Sequence, residues 1–472
     1  MVATEQATGA ALKKFFEHPL GKALATVRSR RVGHGYSIEP GVEQKHPTTG
    51  ARLYQEKGPL AFVSNKRPVP LTEEEEAILC WAACGPNGVI AWDIALGGGF
   101  NELVHLAGRT SPAPGNSHGT DLLVVNDKGV FIYKPSRDRT RPIEIEGPQD
   151  HHKILDWYRT SLIKISDERP QLGYGTKIDP SHNDGSIFGP YQYNMNMPGS
   201  TWLIPIQDNG WLYLSVLPVI LQWNGYYIVD DFTGEPAGMK QWVDEGKLHV
   251  PMTLSQYEQF LFQVETYVPG CMVQNVRLAA ETLGLGTWVY CGYSDDALMG
   301  AVPELTKGIG FKHEEPNLRV PLGSGQVVTS GLEGIKEATY VPSRRYKDGM
   351  DCITKLFEEK YGPGATMAKD GNSWGQKVGA PYKPEVFAEV MKHKHTDFPQ
   401  WTLDATASFI DYCVEKWGQC PVFQNPMQCN FGAVIHHVDT DFYDQYYVDG
   451  YVTDAIRETN SRLGNGRNGS GG

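Results

Sequence analysis

Two apolar tetrads separated by a turn constrain this chain more than any other local feature. Leu122-Leu123-Val124-Val125 is followed by Asn126-Asp127-Lys128-Gly129 and then by Val130-Phe131-Ile132-Tyr133. Asn, Asp and Gly tolerate the backbone reversal a tight turn requires, so the stretch predicts an antiparallel β-hairpin. Helical patterns surround it. Leu12, Phe15, Phe16, Leu20, Leu24 and Val27 recur at helical spacing over 10–31. Leu71-Thr72 opens a second helix with Glu73 to Glu76 in its first turn, where carboxylates suit the positive helix end. A further helix is expected near 151–166, and a long one starts after Thr253, is open to interruption at Pro269-Gly270, and ends at Gly284. Trp202 to Ile206, Trp223 to Val229 and Trp288 to Gly292 read as strands; Trp211 to Ile220 reads as a buried strand or helix. The fold class is α+β.

A chain of 472 residues exceeds one ordinary core, so two or three domains are expected. Beyond about Ser324 the pattern turns to helical segments at 348–361, 384–395 and 402–417, which predicts a mainly helical C-terminal part over 325–462. The Gly/Asn/Ser-rich tail 463–472 is expected to be disordered. A net charge of -12 argues against a nucleic-acid partner. No apolar run is long enough for a membrane span, and Met1 to Lys14 lacks the apolar core of a secretory signal. The eight cysteines form no Cys-x-x-Cys pair, which fits reduced thiols in the cytoplasm. Cys413, Cys420, Cys429, His436, His437, Asp439 and Asp441 have metal-competent side chains but no zinc-module spacing, so no metal is expected.

Three separated segments carry chemistry. Arg28-Ser29-Arg30-Arg31 groups three guanidiniums and a hydroxyl past a helix, which suits a phosphate and equally suits a solvated helix end. Arg109-Thr110-Ser111-Pro112-Ala113-Pro114-Gly115-Asn116-Ser117-His118 is a stiff turn presenting polar groups before the hairpin, or simply a well-capped loop. Gly284-Leu285-Gly286 lets backbone approach a planar ring closely, or is an ordinary helix cap.

In order and spacing these segments resemble the FMN-dependent nitroreductase family, and most of all its SagB-type dehydrogenase branch. The likeness rests on Ser29 and Arg31, on Pro112, Gly115, Asn116 and Ser117, on the hairpin 124–133, and on Gln274-Asn275 through Leu283-Gly284-Leu285-Gly286. It covers 15–135 and 260–320. Ala113, His118 and Gly119 depart from the family's serine, glutamine and proline, and Val27 stands where its leading arginine is usual.

The resemblance implies a nitroreductase-like fold over 1–324: a mostly antiparallel central sheet flanked by helices, with an aromatic-rich insertion at about 136–250. It implies FMN held by Arg28, Ser29, Arg31, Pro114, Gly115, Asn116, Ser117, Gly284, Leu285, Gly286 and Arg319. Asn116 would face the flavin near O4 and N5, with His118 beside it as the second catalytic residue. A homodimer with FMN at the interface is implied, the long helix serving as a dimer element. The implied activity passes hydride between NADH or NADPH, flavin N5 and a small, flat organic substrate. The alternatives are SagB-type oxidation of a peptide-derived or other organic substrate, and flavin sequestration without catalysis. Trp157, Tyr174, Tyr191, Tyr193 and Trp202 are the candidate substrate-covering lid, or packing for an irregular insertion.

Overall fold

A computed structural model describes residues 2–38, 44–45, 52–53, 59–89, 107–114, 118–134, 145–170, 194–293, 295–303, 307–314, 328–335, 346–363, 383, 385–386, 398–429 and 431–465. The hairpin forms as its sequence requires. β1 (Thr120–Asn126) and β2 (Gly129–Tyr133) pair antiparallel, closing with Asn126 opposite Gly129. β3 (Leu162–Ser166) continues from β2, and β4 (Thr201–Asp208) pairs with the other edge of β1. β5 (Gly286–Tyr290), β6 (Met427–Gln428) and β7 (Gly432–His436) complete a seven-stranded antiparallel sheet in the order β5-β7-β4-β1-β2-β3, with β6 also on β4. The fold is thus a mixed helix-and-sheet architecture built on an antiparallel sheet.

The period of two places alternate residues of β1 on opposite faces. Leu122 and Val124 enter one core with α3 (Glu73–Cys84), α4 (His152–Ser161) and the second half of α6 (Leu254–Leu283). Leu123 and Val125 enter the other with Trp202, Ile204, Trp288 and Tyr290. A third core joins α5 (Asn209–Asn224) and the first half of α6 to α7 (Gly349–Tyr361) and α8 (Gln400–Trp417). Local chemistry sets the helix starts: Thr72 with Glu75, and Thr253 with Gln256, form capping boxes.

Several expectations need correction. The 10–31 pattern is two helices, α1 (Val2–Glu17) and α2 (Leu20–Thr26), because Pro19 lacks the N–H a continuous helix would use. The 151–166 stretch is a helix only to Ser161 and then becomes β3. α6 runs straight through Pro269, whose ring is buried in the packed face. Trp211 to Ile220 is helical. The stretch 136–250 is no insertion, since it supplies the central strand β4. Nor is 325–462 a helical appendage: α7 and α8 are helical as expected, but β7 returns to the sheet between β5 and β4. The tail begins in helix, as α10 (Asp454–Asn465) follows α9 (Thr440–Tyr446); 466–472 and nearly all of the helix expected at 384–395 lie outside the described residues. No described helix is long and apolar enough to cross a membrane.

Candidate functional site

The structure brings two of the three chemical segments together. Just past α2, the Arg30 N–H donates to the Thr287 carbonyl at 3.1 Å, and Ser29 bridges Thr287 in parallel. The arginine cluster is therefore fixed beside the start of β5. Its guanidiniums have three different fates. Arg28 is exposed and its Nη1 donates to the Ala25 and Val27 carbonyls, at 3.1 and 2.9 Å. Arg31 is half-buried, with its guanidinium 3.8 Å from the centre of the Trp288 ring. Arg30 is buried and meets Glu281 Oε2 at 2.8 Å. Ser29 is exposed between them.

The glycine turn beside this cluster is filled by protein. Gly284 is the left-handed cap of α6 at φ 74°, and a methyl group on it would run into the Ala455 carbonyl. Lys14 Nζ ties the same corner together, donating to the carbonyls of Leu283 (3.3 Å) and Ala455 (2.9 Å). A methyl group on Gly286 would lie 2.8 Å from His436 Nε2, and Leu285 is wholly buried in the core. The close approach these glycines permit is thus made by α10 and β7.

His436 is buried, and burial pushes its imidazole down to about 3, helped by His437, His34 and Arg31 nearby. His34 Nε2 pairs with Asn460 at 2.8 Å. Asp439 caps α9 and pairs with Lys66 at 2.9 Å, while Cys413 and Cys420 sit in the third core. No group of three or more metal-competent residues that could hold a metal occurs among the described residues.

The Arg109–His118 segment stands at the other end of the sheet. Thr287 and Thr201 both pair with Ile435, whereas Thr120, two residues past His118, pairs with Gln207. Six residues of β4 separate these levels, roughly 20 Å at about 3.3 Å per residue. Arg109 is buried in an ion pair with Asp121 at 3.2 Å and donates to the Thr120 carbonyl. His118 is buried at φ 44°, and Pro114 is half-buried. Gly115, Asn116, Ser117 and Arg319 lie outside the described residues. The aromatic lid is not assembled by its described members: Trp157 packs into the core on one face of the sheet and Trp202 into the core on the other, and Tyr174, Tyr191 and Tyr193 lie outside the described residues.

Next to His118 the structure holds a cavity that the sequence reading missed. A methyl group on Gly119 would stand 3.6 Å from Glu265 Oε1, and Glu265 lines a cleft between α5 and α6. Glu258 lines it too, accepting the Val422 and Phe423 N–H groups at 2.6 Å each. Burial raises the Glu258 carboxyl to about 8, against the opposing pull of those two N–H bonds. A carboxyl so placed holds a proton near neutral pH. Sequence did carry a signal here: Glu258 and Glu265 fall in phase with Leu254, Leu261 and Val268, on the apolar side of α6.

No family model and no curated protein matches the chain. Among solved structures it is similar to a protein of Ralstonia eutropha JMP134 carrying a provisional nitroreductase designation, at 15% identity and a TM-score of 0.26 over 60% of this chain and 74% of that one. At a TM-score that low, the fold rests on the chain's own geometry.

Proposed function

We propose that the chain is an FMN-dependent oxidoreductase of nitroreductase-like fold, moving hydride between a reduced nicotinamide and a small, flat organic substrate. The observation that carries this reading is the pairing of Ser29 and Arg30 with Thr287, which fixes a guanidinium-rich segment beside the start of β5. Arg28, Ser29 and Arg31 would hold the phosphate: two guanidiniums and a hydroxyl are donors of the kind a phosphate dianion takes, and Arg30 is committed to Glu281. Bound FMN supplies hydride chemistry at its N5. Gly284, Leu285 and Gly286 act as support for that segment, not as a face for the ring.

The roughly 20 Å between the Arg28–Arg31 segment and the His118 segment along the sheet favours a site in which the phosphate contacts and the ring contacts come from different copies. A homodimer with the cofactor at its interface is the assembly that this reading implies.

Absorbance of the purified full chain, before and after denaturation, tests the reading. Released FMN, and rapid bleaching on mixing with NADH or NADPH, support it. Reduction by an organic donor but by neither nicotinamide would turn the reaction toward SagB-type dehydrogenation. A colourless chain that takes up no added FMN sinks it.

A further inference from the structure

We infer that the seam joining residues 32–34 to residues 437–439 is an acid-operated latch: charging His34 and His436 lifts the stretch 32–38 off the sheet while the rest of the fold stays closed. This stands apart from the flavin reading and holds with or without a cofactor. The seam is thin. Gly33 bridges Val438, the His34 N–H donates to the His437 carbonyl at 3.0 Å, and the Asp439 N–H donates to the Val32 carbonyl at 3.0 Å. β7, just before it, pairs with β5 over the whole of Gly286 to Tyr290. Val32 and Tyr36 are buried against Val438, Phe442 and Ile456, and that apolar contact keeps the seam shut at neutral pH.

Three imidazoles sit under this seam. A methyl group on Gly33 would lie 2.6 Å from His436 Cδ2, so the glycine seats directly on that ring. The His34 and His437 ring centres are 6.2 Å apart, and those of His436 and Tyr36 are 5.0 Å apart. Among the described residues, neither ring nitrogen of His436 or of His437 has a hydrogen-bond partner. His34 is committed to one tautomer. Asn460 Nδ2 donates to the Ile456 carbonyl at 3.1 Å, which turns Asn460 Oδ1 toward His34 and makes the His34 Nε2 the donor. The buried His34 Nδ1 is then bare. A proton added there, or on His436, creates a buried charge and a buried N–H without an acceptor; the lifted, hydrated stretch carries no such penalty.

The surroundings do not offset that charge. Arg31 faces His436, and Lys66 faces His34. Glu75 Oε2 lies 3.9 Å from His437 Nε2, but it already accepts the Thr72 N–H and hydroxyl at 2.8 and 3.0 Å, and Lys14 faces it from α1. Asp439, the second carboxylate of the cluster, is held by Lys66 Nζ at 2.9 Å and by the Ser64 hydroxyl. Burial pushes His34 below its ordinary value, as it does His436. The Arg30–Glu281 ion pair anchors the start of the stretch, so opening is confined to residues beyond it.

Backbone hydrogen exchange of the full chain, read by mass spectrometry and corrected for the pH dependence of chemical exchange, tests this between pH 7 and 5, where ordinary carboxylates stay ionised. Opening of 32–38 should rise about 20-fold or more over that range, the share of one histidine whose proton the closed state refuses, while the hairpin 120–133 keeps its protection. His34→Gln should lower that rise, and His34→Gln combined with His436→Leu should abolish it. Should the double variant fail to fold by circular dichroism, His34→Gln alone decides the matter. A flat profile at 32–38, a parallel rise in the hairpin, or the full parental rise in a folded variant would overturn the latch.

Discussion

Arg30 Nη1 and Glu281 Oε2 lie 2.8 Å apart with both side chains almost wholly buried, joining the N-terminal segment to the last turn of α6. Arg30 also donates to the Tyr451 carbonyl at 2.9 Å and lies over that ring, so the pair holds three distant stretches at one corner. Removing one partner leaves an uncompensated charge in the core. Arg30→Met should therefore cost about 3–5 kcal/mol in denaturant unfolding. Adding Glu281→Leu should recover most of that loss, because the orphaned charge goes with it. A single variant within about 1 kcal/mol of the parent would show the pair to be solvated in solution.

Gly284→Ala separates packing from cofactor contact. The residue sits in the left-handed region and faces the Ala455 carbonyl, so strain and steric conflict both fall on the α6–α10 corner. A loss of about 2 kcal/mol or more in thermal or denaturant stability is expected. Any fall in flavin content should track the unfolded fraction. Selective loss of flavin from a chain of parental stability would return this glycine to the binding site.

Much of the fold was legible because it is local. The hairpin at Asn126–Gly129 and the helix starts at Thr72 and Thr253 are decided by neighbouring residues, and they form where the sequence puts them. What failed was decided by distant partners. Gly432–His436 is too short an apolar run to declare itself a central strand, and α5 is apolar all round, so periodicity cannot separate helix from strand. The site divides the same way. Arg28–Arg31 announces a phosphate-sized cluster, but only long-range pairing to Thr287 and Glu281 assigns Arg30 a structural duty and leaves Arg28 exposed. The cleft at Glu258 depends on Val422 and Phe423, whose approach no local pattern encodes.

Ser29→Ala combined with Arg31→Ala tests the phosphate assignment. Each charged hydrogen bond lost should cost about 1.5–3 kcal/mol, so the double variant should lose most of its FMN on dialysis. Fold should persist, since Ser29 is exposed and Arg31 only half-buried. Absorbance per mole of chain measures the outcome. Full loading of the double variant would place the phosphate elsewhere.

His436 and Glu258 should tilt stability in opposite directions with pH. Burial, with His437, His34 and Arg31 adding to it, lowers the His436 value from 6.5 to about 3. The unfolded chain then binds the extra proton more readily, so this contribution is complete above pH 6.5 and is lost as pH falls toward 3. Glu258 moves the other way, raised by burial from 4.5 to about 8. Here the folded state holds the proton more tightly, so the contribution is complete below pH 4.5 and is lost as pH rises toward 8. His436→Leu should flatten the acid limb of a stability–pH curve and leave the other limb alone. Glu258→Gln should flatten the limb toward pH 8, although losing one acceptor for Val422 or Phe423 lowers the whole curve. The slope is therefore the quantity to read from denaturant midpoints, and an unchanged slope in either variant would mean that its parent group titrates in the folded chain as it does in water.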